Sequence, residues 1–253
     1  MRGGTLTIRM RDGSGRGYRQ SVLTQGEQLI LIALDADKGV IRNSRILQYG
    51  LNAAVLSELL RQGLITLRQL DGRWGVTPVL NGEPPTGNPV LEAVWRRVER
   101  VTEEGERPHP ALCVKQWLDP TMHFYLKALK ERGTIDWEKP KQPAARYGRF
   151  ELLDPEAAAA ARARVDRVRT GAKADPPDRD LAAIAACLGL GDVLYPGLRG
   201  RKKRAALTAA VDSERFARIL ARALPREQGL KLAFESSRDL DMAQAASYSD
   251  DTP

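Results

Sequence analysis

Four cations and three aromatic rings crowd one short stretch of this sequence. Lys139, Lys141, Arg146 and Arg149 surround Trp137, Tyr147 and Phe150. Rings at headgroup depth with cations beside them are what an interfacial membrane anchor requires. The same composition also arises where rings cover a core and the cations face water. Arg199-Gly-Arg-Lys-Lys-Arg204 is the densest positive run; it suits the phosphates of lipid or nucleic acid, or a solvated helix face. Arg162, Arg164, Arg167 and Arg169 read as the exposed side of an Ala-rich helix. Arg42 and Arg45 flank the start of a long helix and could build an anion site there. All of this is electrostatic chemistry, without bond making.

Catalytic patterns are thin. His109 lies between two prolines and His123 stands beside Phe124, so the two histidines share no metal-ligand spacing. No nucleophile elbow, P-loop or dinucleotide fingerprint occurs. Cys113 and Cys187 each sit in an apolar helical stretch outside any CxxC pair, and read as buried free thiols of a reducing compartment. Glu58, on an apolar helix, reads as partly buried in a structural salt bridge. The expectation is a binding protein with no metal and no cofactor.

Charge narrows the partner. The 253 residues hold 40 Lys/Arg and 32 Asp/Glu, a net charge of +8. Residues 224–253 contain three Lys/Arg against six Asp/Glu, which leaves 37 against 26 in the rest. A basic body with an acidic tail favours polyanions: nucleic acid, anionic headgroups or an acidic protein. No run reaches the roughly 18 apolar residues of a spanning helix, and the first residues lack a secretory apolar segment. The expected location is the cytoplasm, peripheral on the inner face of the membrane.

The elements that must position these groups are mostly helical. Residues 1–22 read as a flexible basic arm and residues beyond Pro225 as a disordered acidic tail. Between them, 23–224 form one compact, mainly α domain with two small β-hairpins. Thr24-Gln-Gly-Glu27 is a capping box opening an apolar helix, and Asp35–Gly39 has turn chemistry. A longer helix covers Ser44–Gln62, and Gly63 terminates it. The alternation of Leu64–Leu70, the Asp71-Gly72 turn and Arg73–Thr77 predict a hairpin. Helices follow from Pro89 to Val101, over Ala111–Leu118 and over Thr121–Arg132. Thr134–Trp137 and Arg149–Leu152 form the second hairpin. Asp154-Pro155 caps a helix to Arg169, Gly171–Asp178 is a Pro-rich loop, and three helices near Arg179–Leu188, Lys202–Val211 and Ser213–Leu224 complete the domain. Leu56-Ser-Glu-Leu59-Leu-Arg-Gln-Gly63-Leu-Ile65 repeats in register as Leu126-Lys-Ala-Leu129-Lys-Glu-Arg-Gly133-Thr-Ile135. Each copy leads into a hairpin.

The sequence resembles the Golgi phosphoprotein 3 family. The resemblance is carried by Gly50-Leu-Asn-Ala-Ala-Val-Leu-Ser-Glu58-Leu with Gly63, by Pro85-Thr-Gly-Asn88, and by Asp178-Arg-Asp-Leu-Ala-Ala-Ile with Asp192-Val-Leu194. It spans Thr24 to about Leu224 and suits a bacterial, actinobacterial member. It implies a helical domain that binds anionic membrane and recruits a client protein, and whose second hairpin supports membrane contact and self-association. Eukaryotic members read phosphatidylinositol 4-phosphate. Carrying over their phosphate pocket places Asn43 at a tryptophan position and Asn52 at an arginine position. Two further basic positions fall on Asp119 and Met122, or in a shifted register on Lys127 and Lys130. The lipid-contact set is therefore Arg42, Arg45, Asn52, Lys127, Lys130, Trp137, Lys139, Lys141, Arg146 and Arg149. Two alternatives stay open: a protein adaptor without a lipid role, and a winged-helix nucleic-acid binder with Ser44–Gln62 as reading helix and Arg68 and Arg73 on the wing.

Overall fold

The computed structural model describes residues 23–70, 73–79, 88–106, 108–116, 121–138 and 148–224. The basic arm, the acidic tail and the loop carrying Lys139, Lys141, Arg146 and Tyr147 lie outside these residues. The architecture is α-helical with three two-stranded antiparallel sheets.

Helix α1 (Gln25–Ala33) is buried along its whole length, as a helix apolar on nearly every face must be. Its capping box is formed: Glu27 N–H donates to Thr24 Oγ1 at 3.3 Å, and Thr24 N–H donates to Glu27 Oε2 at 2.7 Å. The polar residues of its first turn are buried too, so each is stitched outward. Gln25 Nε2 donates to the Pro177 carbonyl at 2.8 Å, and Glu27 pairs with Arg132 at 3.2 Å. Around α1 pack α2 (Ser44–Arg61), α5 (Thr121–Glu131), α6 (Pro155–Arg169) and α7 (Pro176–Cys187). Helix α10 (Arg215–Ala223) lays Phe216, Ala217 and Leu220 against α2, α7 and α4 (Pro110–Gln116).

The repeat is structural. Gly63 (φ 71°) and Gly133 (φ 70°) each end a helix in the left-handed region, which favours glycine. In both, a Schellman pair closes the end: Leu64 N–H to Leu59 C=O and Gly63 N–H to Leu60 C=O, against Thr134 to Leu129 and Gly133 to Lys130. Hairpin β3 (Ile65–Leu70)–β4 (Arg73–Pro78) then mirrors β5 (Ile135–Glu138)–β6 (Arg149–Leu152). Even the closing bonds correspond: Val79 N–H to Leu64 C=O and Leu153 N–H to Thr134 C=O, both 3.0 Å. Each hairpin leads to a helix opened by an Asx cap and a proline, Asn88-Pro89 for α3 (Pro89–Glu103) and Asp154-Pro155 for α6.

Three expectations change. A third ladder, β1 (Leu34–Asp35) with β2 (Val40–Ile41), occupies the Asp35–Gly39 turn; two residues per strand are too few to leave an alternation signal. Helix α7 begins at Pro176, inside the stretch read as a Pro-rich loop, because proline is at home in the first turn of a helix. A one-turn helix, α8 (Gly191–Leu194), precedes α9 (Arg201–Thr208).

Candidate anion-binding surface

Several of the cations marked on the sequence are already paired with carboxylates. Arg42 donates Nε and Nη2 to Asp35 Oδ2, at 3.0 and 2.5 Å, across the β1–β2 turn. That guanidinium holds the Asp35 carboxyl below its usual range. Lys130 pairs with Asp136 at 2.7 Å and also donates to the Trp137 carbonyl at 3.1 Å. Its ammonium likewise lowers the Asp136 pKa. Lys127 is exposed and pairs with Glu131 at 3.7 Å, one turn on. Asn52 is 1% exposed, and its Nδ2 donates to the Val114 carbonyl at 2.8 Å. It is a strut between α2 and α4, out of reach of any headgroup. Asn43 takes the left-handed conformation (φ 54°) and donates to the Leu188 carbonyl at 2.8 Å. Arg45 stands in the first turn of α2.

The second hairpin turns its rings inward. Trp137 is half-buried, stacked 6.3 Å from Phe150 and edge-on to His123 at 5.3 Å. Phe150 is 3% exposed, and its N–H donates to the Gly39 carbonyl at 3.0 Å, fastening β6 to the β1–β2 turn. Arg149 is exposed, but it borders an open groove of about 420 Å³ whose wall also carries Asp136, Glu138 and Glu151. The described arms of this hairpin therefore present more negative than positive charge.

Helices α6 and α9 arrange their cations differently. Arg164 and Arg167 were expected on a solvated face; both fold onto Asp178, which is 2% exposed. Burial alone would raise the Asp178 pKa, but the two guanidinium groups outweigh it and hold the carboxyl below its usual range. Arg164 Nη1 also donates to Gln28 Oε1 of α1 at 2.8 Å. One turn further, Asp166 accepts from Arg169 Nε at 2.7 Å and from the Tyr195 hydroxyl at 2.8 Å. Burial, then the bond to Asp166, pushes the Tyr195 phenol up to about 12. The Arg169 guanidinium and the Lys203 ammonium lie 5.3 and 5.6 Å from the Tyr195 ring centroid, within cation–π range. Two basic runs thirty residues apart in sequence thus meet at one tyrosine, with a single carboxylate between them.

Beyond that knot the chain makes a tight, fixed turn. Gly197 has φ 71°, and a Cβ on Gly200 would lie 2.0 Å from the Tyr195 carbonyl oxygen, so the backbone approach requires glycine. Arg204 Nη1 donates to the carbonyls of Tyr195 and Gly197, at 2.5 and 3.0 Å, while its Nε pairs with Asp192 at 3.0 Å. This clamp leads into a 3₁₀ turn, Leu198–Gly200, and then α9. Arg199, Arg201, Lys202 and Lys203 are exposed and have no ion pair among the described residues. The first turn of α9 contains no acidic residue and no side-chain cap. Cations there oppose the helix macrodipole, at a cost of a few tenths of a kcal/mol each. Leu198, at the apex, is 92% exposed; the next most exposed large apolar side chain among the described residues, Leu153, is at 50%. The sequence mark of this apex is a leucine set between two glycines at the head of the basic run, which a count of cations does not register.

Comparison with known families agrees with this fold. The family described as Golgi phosphoprotein 3 (GPP34) matches residues 26–227. The chain belongs to the Golgi phosphoprotein 3 family. The match runs from the first turn of α1 past the end of α10, so every helix and hairpin described falls within this family domain. No curated protein matches the chain. In this family member the cysteines are buried free thiols, Cys113 and Cys187, each with its pKa pushed by burial to about 12. Among the described residues no helix is long and apolar enough to cross a membrane. The winged-helix alternative requires an exposed reading helix. Helix α2 is enclosed by α1, α3, α4, α5, α7 and α10, with Leu47, Leu51, Val55 and Leu59 fully buried, and cannot enter a groove.

Proposed function

We propose that this Golgi phosphoprotein 3 family member is a peripheral membrane-binding module that acts by reversible attachment to anionic bilayers, without catalysis. The observation that carries the reading is the surplus of exposed cations on the turn and first coil of α9, where Arg199, Arg201, Lys202 and Lys203 make no ion pair among the described residues, Asp166 lying near Lys203 alone. Each such cation near an anionic surface is worth about 1 kcal/mol, and the attraction weakens as salt shortens the Debye length.

The recognised feature is surface charge rather than one headgroup. A phosphomonoester pocket needs several convergent donors, ideally an arginine fork. Asn52 is buried and Asn43 already donates to Leu188, so neither of these two positions supplies a charged fork. Recruitment of a client protein to the membrane is the role such attachment would serve.

The test is co-sedimentation with vesicles of phosphatidylcholine, of phosphatidylcholine with phosphatidylserine, and of phosphatidylcholine with phosphatidylinositol 4-phosphate, at low and moderate salt. Binding to both anionic compositions that fades with salt is expected. A phosphoinositide preference that survives salt would replace the charge reading with a pocket. Absence of binding to every composition would end the membrane reading.

A further inference from the structure

We infer that the turn at residues 196–200 is a membrane-insertion point: Leu198 enters the acyl boundary of an anionic bilayer while Arg199, Arg201, Lys202 and Lys203 hold the headgroups around it. The inference rests on the membrane reading above and assigns the contact to a surface for it.

A single exposed leucine is ordinary on a protein surface. Leu198 differs in being held out. Its turn is fixed by Gly197 in the left-handed region, by the close pass of Gly200 under the Tyr195 carbonyl, and by the Arg204 clamp on two carbonyls. An apolar side chain on a loose loop would fold back onto the nearest core; this one is kept 92% exposed by the backbone beneath it. The tyrosine knot then ties the base of the turn to α6 through Asp166. Four cations lie within five residues of the apex. Their long stems can run along an apolar surface while the charged ends stay at phosphate depth. An apolar tip ringed by basic groups complements an anionic interface, whose charge lies outside its hydrocarbon. A protein partner would need an apolar socket ringed by carboxylates, and duplex DNA offers the phosphates but no apolar layer for the leucine.

The test places an environment-sensitive fluorophore on Leu198→Cys in the full chain. Cys113 and Cys187 are buried thiols with pKa values near 12, so brief labelling at neutral pH reports position 198 alone. With phosphatidylserine-containing vesicles a blue shift and a several-fold rise in emission are expected, with quenching by lipids brominated on their acyl chains. Phosphatidylcholine vesicles and duplex DNA should give neither. Co-sedimentation of the same samples separates the outcomes. Binding without a spectral change would overturn insertion and leave the membrane reading standing. No binding would overturn both, and a response confined to duplex DNA would assign the cations to nucleic-acid phosphates instead. As a second readout, Leu198→Asp should lower vesicle affinity by about tenfold or more while Leu198→Phe retains it. Equal affinity for the two variants would also overturn the inference. A side chain this exposed supports no core, so both variants should melt as the parent does.

Discussion

The second hairpin and the Leu198 turn carry similar sequence marks, apolar residues amid cations, and the fold treats them in opposite ways. In the hairpin, Trp137 and Phe150 stack inward, Lys130 is matched by Asp136, and Arg149 shares its groove with Glu138 and Glu151. In the turn, Arg204 is spent on fixing the backbone, and the remaining cations and the leucine face outward together. A count of basic residues does not measure a surface field; the placement of carboxylates and the direction of the rings do. Both regions hang from the same kind of frame, a helix of the α5–α6 half of the repeat. Yet β5–β6 is held by ring packing and the α6–α7 contact by a buried charge.

Perturbing that buried charge should have the largest effect. Asp178→Ala leaves Arg164 and Arg167 without their shared partner and should cost about 3 kcal/mol of stability, read by denaturant melting. Because Asp178 is held below its ordinary pKa in the fold, its contribution is complete above the unfolded value and is lost as pH falls through the lowered one. The parent chain should therefore lose stability at acid pH more steeply than the variant does.

Of the same size, but in binding rather than stability, is the triple change Arg201→Gln, Lys202→Gln, Lys203→Gln. It should weaken binding to phosphatidylserine vesicles by about 3 kcal/mol, roughly a 150-fold loss. The pair Lys127→Gln, Arg149→Gln should stay within about twofold of the parent in the same titration, since their charges face carboxylates. Equal losses from the two sets would erase the distinction between the regions.

Trp137→Ala sharpens it from the other side. Loss of the half-buried ring between His123 and Phe150 should cost about 2 kcal/mol in a melt and leave vesicle affinity unchanged. A fall in affinity without a fall in stability would return the hairpin to the membrane.

The smallest effect is expected at Glu58, whose Oε2 is buried without a hydrogen-bond partner among the described residues. Burial raises its pKa, against the pull of Arg61. The folded state then holds its proton longer than the unfolded chain, so stability should decline as pH rises from the unfolded pKa through the raised one. Glu58→Gln should remove that slope, by less than about 1 kcal/mol, in melts taken at stepped pH.

Much of the fold was legible because its signals act over a few residues. The capping box at Thr24, the glycine stops at Gly63 and Gly133, and the Asx-Pro starts at Asn88 and Asp154 each fix a boundary within one turn of chain. Periodicity supplied the rest, which is why the repeat and the mainly α class could be read directly. The two-residue ladder at Leu34 and the start of α7 at Pro176 escaped, the first too short to alternate and the second hidden by prolines that a helix start accepts. The site was less legible. The resemblance puts Asn52 in the lipid-contact set, and only the fold shows it buried and bonded to Val114, sixty-two residues away.

The sequence by itself determined the helices, their stops, the hairpins, the buried thiols and the positive balance of the body, since each depends on neighbours along the chain. Tertiary structure alone decided which cations remain unmatched. Arg164 reaches Asp178 fourteen residues on, Tyr195 reaches Asp166 twenty-nine back, and Arg132 reaches Glu27 105 residues back. Charge pairing is set by distance in space, and those distances exist only once the helices have packed.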